Sequence, residues 1–300
     1  MYVILGATGH TGSVIADALL AKGEKVRAIG RSKDRLVRLI GLGAEPFVGN
    51  TRDAEFLTRA FDGARAVYFM VPPDPTSADY RGHQRQMIEA GATALEATRV
   101  RYVVALSSFG ADKESGTGPV AGLHEMEAKL GRLTGLNALY LRAGYFMENV
   151  LPQIGVIQDF GVIATPLRSD LLLPMIATKD IAVAAAERLL KLDFSGHQTR
   201  ELQGQRDLSY AEAARIIGSA IGKPSLSYRQ LPNEQFVEAL THMGMSRAFA
   251  ELMVEMTNAL NAGHMRALEP RSAAKTTPTS FESFVQDVFV PAFRGKAANA

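Results

Sequence analysis

The opening dodecapeptide, Met-Tyr-Val-Ile-Leu-Gly-Ala-Thr-Gly-His-Thr-Gly, constrains the fold more than any other stretch of the chain. Large apolar side chains from Tyr2 to Leu5 run without a linker into Gly6, Gly9 and Gly12, and a helical pattern continues from His10 to Lys22. A strand that bends through spaced glycines straight into a helix points backbone N–H groups and the positive end of the helix dipole at one spot. Residues without a Cβ let a diphosphate approach that spot closely. Gly6, Gly9 and Gly12 therefore predict a diphosphate cradle, with Thr8, His10 and Thr11 as side-chain donors around it. Spaced glycines also serve ordinary turns, so the weight of the reading lies in the strand-helix units downstream of them.

Those units alternate regularly. Strands are expected at Tyr2–Leu5, Lys25–Gly30, Glu45–Val48, Ala66–Val71, Tyr102–Leu106 and Ala138–Leu141, with helices at His10–Lys22, Asp34–Leu42, Asp53–Phe61, Asp79–Thr98 and Val120–Thr134. Short strands alternating with longer helices specify a parallel sheet with right-handed crossovers. The strands are apolar on both sides, as burial between two helical layers demands. Past Arg142 the pattern loosens. Helices are expected at Thr178–Leu192 and Ser209–Ile221, with Thr178 and Ser209 as caps and Asp180 and Glu212 in the first turns, then a Met-rich helical region over Asn233–Ala262. The expected fold class is α/β: a Rossmann-type doubly wound parallel sheet over 1–150, with a smaller, mostly helical substrate-binding region over 151–300, some segments packing back on the first domain. Arg294–Ala300 reads as a frayed tail.

Composition excludes several classes of function. Lys and Arg total 33 against 31 Asp and Glu, a net +2 with no basic run, so nucleic acid is not an expected partner. No apolar stretch approaches the roughly 20 residues that cross a bilayer, and the N-terminus lacks a basic region and cleavage site; a cytoplasmic protein with no membrane partner is expected. There is no cysteine, hence no disulfide or thiolate. The six histidines, His10, His83, His124, His197, His242 and His264, do not pair at helical ligand spacing, and no metal is expected. Gly-x-Ser-x-Gly is absent, which leaves a serine nucleophile unsupported.

The second strand specifies which dinucleotide the cradle takes. A site selective for NAD places an acid there, to accept hydrogen bonds from the ribose 2′-hydroxyl. Here the strand ends Ile29-Gly30-Arg31-Ser32-Lys33, with Arg35 just beyond and no acid before Asp34. Arg31, Ser32, Lys33 and Arg35 suit a 2′-phosphate, so NADP(H) is the expected cofactor, against the plainer reading of a solvated basic helix start. Asn50 after the third strand is placed to flank adenine, and Val71-Pro72 after the fourth to wall the dinucleotide, though both suit simple loops equally.

Taken together, Gly6-Ala7-Thr8-Gly9-His10-Thr11-Gly12, Arg31, Ser107-Ser108, His124 followed by Lys129, Phe146-Met147-Glu148-Asn149 and Thr178-Lys179-Asp180-Ile181-Ala182 resemble the NmrA-like family, atypical members of the extended short-chain dehydrogenase/reductase superfamily. Leu208-Ser209-Tyr210, Gly222-Lys223-Pro224 and Thr277-Pro278-Thr279 add to the likeness, which covers most of the chain. The family includes NADPH-dependent quinone, azo-dye and iminium reductases as well as cofactor-sensing regulators. Orthodox relatives carry Tyr-x-x-x-Lys. Here the lysine falls on Lys129 and the tyrosine position on Glu125, so the resemblance implies that Lys129 binds the nicotinamide ribose while the phenol is missing. The plainer alternative is an i,i+4 surface ion pair between Glu125 and Lys129, worth about 0.3–0.5 kcal/mol. Polar groups expected near the nicotinamide are Ser107 and Ser108 at the end of the fifth strand, His124, Tyr145 and Asn149. Lys129, His124 and Tyr145 are the candidate catalytic residues.

The missing phenol selects the chemistry. A simple ketone leaves a strongly basic alkoxide that wants a positioned acid, whereas a quinone becomes a delocalised phenolate and an iminium ion needs no proton. The expected activity is NADPH-dependent hydride transfer to a quinone-like or other conjugated, small apolar or aromatic acceptor, by a monomer or homodimer. A non-catalytic NADP(H) sensor with a protein partner is the rival reading, and nucleotide-sugar epimerase chemistry stands behind both. Met243, Met245, Met253, Met256 and Met265 gather late in the chain. Such a cluster more often fills a core, but it can also line a pocket for flat aromatic molecules.

Overall fold

The computed structural model describes residues 1–295. Six strands and the helices between them open the chain: β1 (Tyr2–Ile4), α1 (His10–Leu20), β2 (Val26–Gly30), α2 (Val37–Gly41), β3 (Glu45–Val48), α3 (Ala54–Phe61), β4 (Ala66–Phe69), α4 (Tyr80–Thr98), β5 (Tyr102–Ser108), α5 (Ala121–Leu130) and β6 (Asn137–Ala143). The remainder forms β7 (Tyr145–Phe146), α6 (Gln153–Phe160), β8 (Val162–Thr165), β9 (Leu173–Ile176), α7 (Thr178–Lys191), β10 (His197–Leu202), β11 (Asp207–Leu208), α8 (Tyr210–Ala220), β12 (Ser227–Gln230), α9 (Asn233–His242) and α10 (Arg247–Asn261). A last helical stretch comprises α11 (Phe281–Phe284), a π-helical turn over Val285–Phe289 and α12 (Val290–Phe293).

The central sheet has seven strands in the order β3-β2-β1-β4-β5-β6-β10, all parallel. This is the doubly wound order expected from the sequence, with the switch point between β1 and β4, where such sheets open a crevice for a ligand. Alternation along β1 serves both faces. Tyr2 and Ile4 join the core beneath α1 and α7, while Val3 and Leu5 join the core beneath α3, α4 and α5. A separate core around Met175, Tyr210, Ile217, Phe281 and Phe289 supports the later segments.

The later half contributes α7 and β10 to this sheet: α7 packs on α1, and β10 pairs with β6 from His197↔Ala138 to Leu202↔Ala143. His-Gln-Thr-Arg-Glu-Leu carries no apolar alternation because it is an edge strand whose first residues face solvent, so pairing rather than burial defines it. The small sheets β11-β9-β7 and β12-β8 likewise escape sequence reading, having strands of two to four residues.

Several expected boundaries move for identifiable reasons. The Met-rich region is two helices, because Gly244 takes φ +86° between α9 and α10, and Ser246 Oγ then caps α10 by accepting from Phe249 N–H. Helix α5 stops at Leu130, short of Thr134, with Gly131 and Gly135 beyond it. Ser209 caps α8 as expected, but Ala177 occupies the cap position of α7, and Thr178 instead donates from its N–H and hydroxyl to the Glu148 carboxylate. Of the expected tail, Lys296–Ala300 lie outside the described residues. No helix among the described residues is long and apolar enough to cross a membrane.

Candidate functional site

Gly6 leaves β1 with φ +62°, a conformation that favours glycine, and Gly9 N–H closes the bend on Gly6 O at 2.9 Å. A Cβ on Gly12 would collide with Gly6 O, against backbone that has nowhere to move. The first turn of α1 can thus lie over the bend only because position 12 is glycine. Gly9 occupies the N-cap position, where no side chain caps the helix, so the amides at its mouth stay open beside exposed Thr8, Gly9 and His10. Thr11 differs from the sequence expectation: it is buried, and its hydroxyl accepts from Tyr68 Oη at 2.9 Å.

The other strand ends lie along the same edge. Arg31, Lys33 and Arg35 are exposed just past β2, with Ser32 half-buried among them. Across from them Asp74, in the loop after β4, has its carboxyl held below the usual range, first by the Thr76 hydroxyl and in smaller part by the charges of His83 and Arg31. Arg31 is thus close enough to Asp74 for its charge to act on that carboxyl. Asn50 is exposed, its side chain accepting from Arg52 N–H, and Val71 and Pro72 are half-buried where the chain leaves β4.

Beyond the switch point the polar groups divide. Ser107 is sealed in, and its hydroxyl donates to Glu127 Oε1 at 2.5 Å. The same carboxylate receives Arg142 through two N–H groups at 3.0 and 2.6 Å, a pairing that raises the guanidinium's pKa. Ser107 is therefore committed to a buried network that ties β5, β6 and α5 together. Glu125 and Lys129 do not pair with each other. Glu125 holds Arg81 at 2.6 Å, and Lys129 Nζ holds Glu89 at 2.6 Å, both partners on α4. His124 sets Nδ1 3.0 Å from Ala111 O. His124 and Lys129 share a polar cleft between α4 and α5 with Arg85, Glu114 and Arg132, apart from Ser108 and Tyr145.

Ser108 and Tyr145 open instead onto apolar space. A cavity of about 480 Å³ at the ends of β5 and β6 is lined by Ser108, Phe109, Tyr145, Asn149, Met253 and Met265, among others. A second, of about 680 Å³, lies toward the α9–α10 pair and includes Tyr145, Asn149, Tyr210, Phe236, Phe249 and Met253. Tyr145, Asn149 and Met253 border both. All five clustered methionines line one cavity or the other, so here they serve as pocket wall. Tyr145 Oη is 3.0 Å from Tyr210 Oη, and burial pushes both phenols above the ordinary value. Phe109, Tyr210 and Phe249 also line this site, although none of them was expected there from the sequence; the methionines beside them were the available signal. Among the described residues no group of side chains is placed to hold a metal ion.

The profile of the NmrA-like family matches residues 2–285. The chain belongs to the NmrA-like family. Among NmrA-like and related sequences, the NAD(P)H azoreductase of Xenophilus azovorans is 28% identical over 258 residues, covering 85% of this chain and 86% of that protein. The oxidoreductase YesF of Bacillus subtilis (strain 168), itself uncharacterized, is 30% identical over 270 residues, with 87% and 85% covered. In architecture the chain is similar to the NADPH-dependent quinone oxidoreductase QOR2 of Escherichia coli, solved with NADPH: TM-score 0.79, 23% identity, 96% of this chain and 100% of that one covered. Within this NmrA-like chain, the glycine bend, the basic residues after β2 and the smaller cavity lie at the carboxyl ends of strands of one sheet, and the larger cavity adjoins the smaller one at Tyr145.

Proposed function

We propose that this chain is an NADPH-dependent oxidoreductase that reduces a flat, apolar, quinone-like acceptor. The observation that carries the reading is the pairing, on one sheet edge, of an uncapped glycine-built helix mouth with two methionine-walled cavities that meet at Tyr145. The names of the azoreductase and quinone oxidoreductase relatives support it.

The residues present fit the dinucleotide, since the bend closes only without a Cβ at position 12 and leaves amides open at the mouth of α1. Gly6, Gly9 and Gly12, with Thr8 and His10, would hold the diphosphate. Arg31, Ser32, Lys33 and Arg35 would hold the 2′-phosphate, Asn50 would flank the adenine, and Val71-Pro72 would wall the crevice. When bound, the reduced nicotinamide supplies the hydride. The chain contributes position: Ser108 and Tyr145 border the cavity at the strand ends, the methionines and Phe249 exclude water, and a planar acceptor is held against them.

The test is to mix the protein with NADPH and a panel of quinones, azo dyes and iminium ions, and to follow loss of absorbance at the nicotinamide band. Turnover with at least one planar apolar acceptor is expected. Tight NADPH binding with no turnover would instead favour a cofactor-sensing regulator, a reading that Glu125, tied to Arg81 where orthodox relatives carry the phenol, makes worth the control.

A further inference from the structure

We propose that Tyr145 is the proton donor of this reaction and that Tyr210 positions it, the two phenols serving in place of the one absent at position 125. The inference rests on the oxidoreductase reading above and deepens it. Ser107 is buried and donates to Glu127, and His124 and Lys129 lie in the polar cleft between α4 and α5, which shares no residue with either apolar cavity. Tyr145 is half-buried and borders both cavities, the space open to an acceptor.

The direction of the hydrogen bonds follows from burial. Tyr210 is 1% exposed, and among the described residues Tyr145 Oη is the only hydrogen-bond partner of its hydroxyl. Tyr228 backs the Tyr210 ring at 5.4 Å, but its own hydroxyl is spent on Thr165 and on Leu167 O. A sealed O–H that donates to nothing is costly, so Tyr210 donates to Tyr145. Asn149 lines the same two cavities beside Tyr145. With Tyr210 donating to it, the Tyr145 hydroxyl has no acceptor of its own among the described residues, and its proton is left for the cavity. Burial keeps that phenol protonated at neutral pH.

The step balances. Hydride adds to the quinone, which is reduced to a hydroquinone monoanion as the nicotinamide is oxidised. The Tyr145 O–H bond breaks and a new O–H bond forms on the anion's oxygen. The phenolate left behind is held by the Tyr210 hydroxyl, and it recovers a proton from water after product leaves. A triarylmethyl cation, by contrast, becomes neutral on accepting hydride and draws on no proton.

The test compares these two acceptors in single turnovers, with protein in excess, for the wild type, Tyr145→Phe and Tyr210→Phe. With a naphthoquinone, Tyr145→Phe is expected to slow nicotinamide oxidation about 10-fold or more and to abolish the solvent deuterium isotope effect, Tyr210→Phe to slow it several-fold, and both to lose clearly less with the cation than with the quinone. An unfolding midpoint near that of the wild type shows that the variants fold. Equal losses on both acceptors, or no loss on the quinone, would overturn the assignment. A wild-type protein inert toward both acceptors would instead sink the oxidoreductase reading on which it stands.

Discussion

Glu127 is buried with both carboxylate oxygens in use, one shared by Ser107 and Arg142 and the other given to Arg142 alone. Removing it strands a largely buried guanidinium, whereas removing the Ser107 hydroxyl deletes a single hydrogen bond. Glu127→Ala should therefore cost about 3–5 kcal/mol of stability, and Ser107→Ala about 1 kcal/mol. Denaturant unfolding checks both, and comparable small losses would contradict the network. The cofactor side has a separate residue-scale test. Arg31→Glu should weaken NADPH at least about 10-fold, roughly one charged hydrogen bond, and leave NADH nearly unchanged; equal weakening of both would return Arg31 to the solvated surface. The glycine bend was legible in the sequence because its geometry depends on neighbours a few positions away. Glu127 was not, since its partners come from other elements, 15 and 20 residues distant.

Helices α9 and α10 fasten the later half of the chain over the crevice. Ser246 N–H donates to Pro75 O in the loop after β4, Phe249 meets Tyr80 with ring centroids 4.9 Å apart, and Gly118 approaches Leu252 O so closely that a Cβ would clash. Phe249→Ala should lose about 1 kcal/mol from the ring pair. Opening the cavity wall, it should also raise KM for an apolar acceptor several-fold while leaving NADPH affinity intact, which steady-state kinetics beside a binding titration will separate. A matched loss of NADPH affinity would mean that this helix pair supports the crevice rather than the acceptor. At this scale the sequence showed an apolar, Met-rich helical stretch but not its break at Gly244, nor which face met the cavity, because both depend on what α10 packs against. Gly12→Ala tests the opposite end of the sheet. The added methyl meets Gly6 O, so dinucleotide affinity should collapse. Protein that binds NADPH normally with alanine there would show that α1 need not sit on the bend.

Across the whole molecule, one parallel sheet collects groups that are far apart in the chain. Its order was legible because strands buried on both faces are continuously apolar and glycines mark the first crossover. Its seventh strand was not, because β10 is an edge strand with a polar sequence, specified by its pairing to β6. That strand and α7 return the chain to the first sheet before it leaves again to build the cavity walls around Tyr210 and Met253. On the proposed reading, the phosphorylated end of a dinucleotide would be gripped past β1 and β2, and its reacting end would reach the cavity at the ends of β5 and β6. Calorimetric titration of the folded protein with NADPH and with NADH tests this directly. Saturable binding is predicted, with NADPH at least about 10-fold the tighter, in keeping with a charge-assisted contact to the 2′-phosphate. Absence of heat with either nucleotide, or equal affinity for the two, would contradict it.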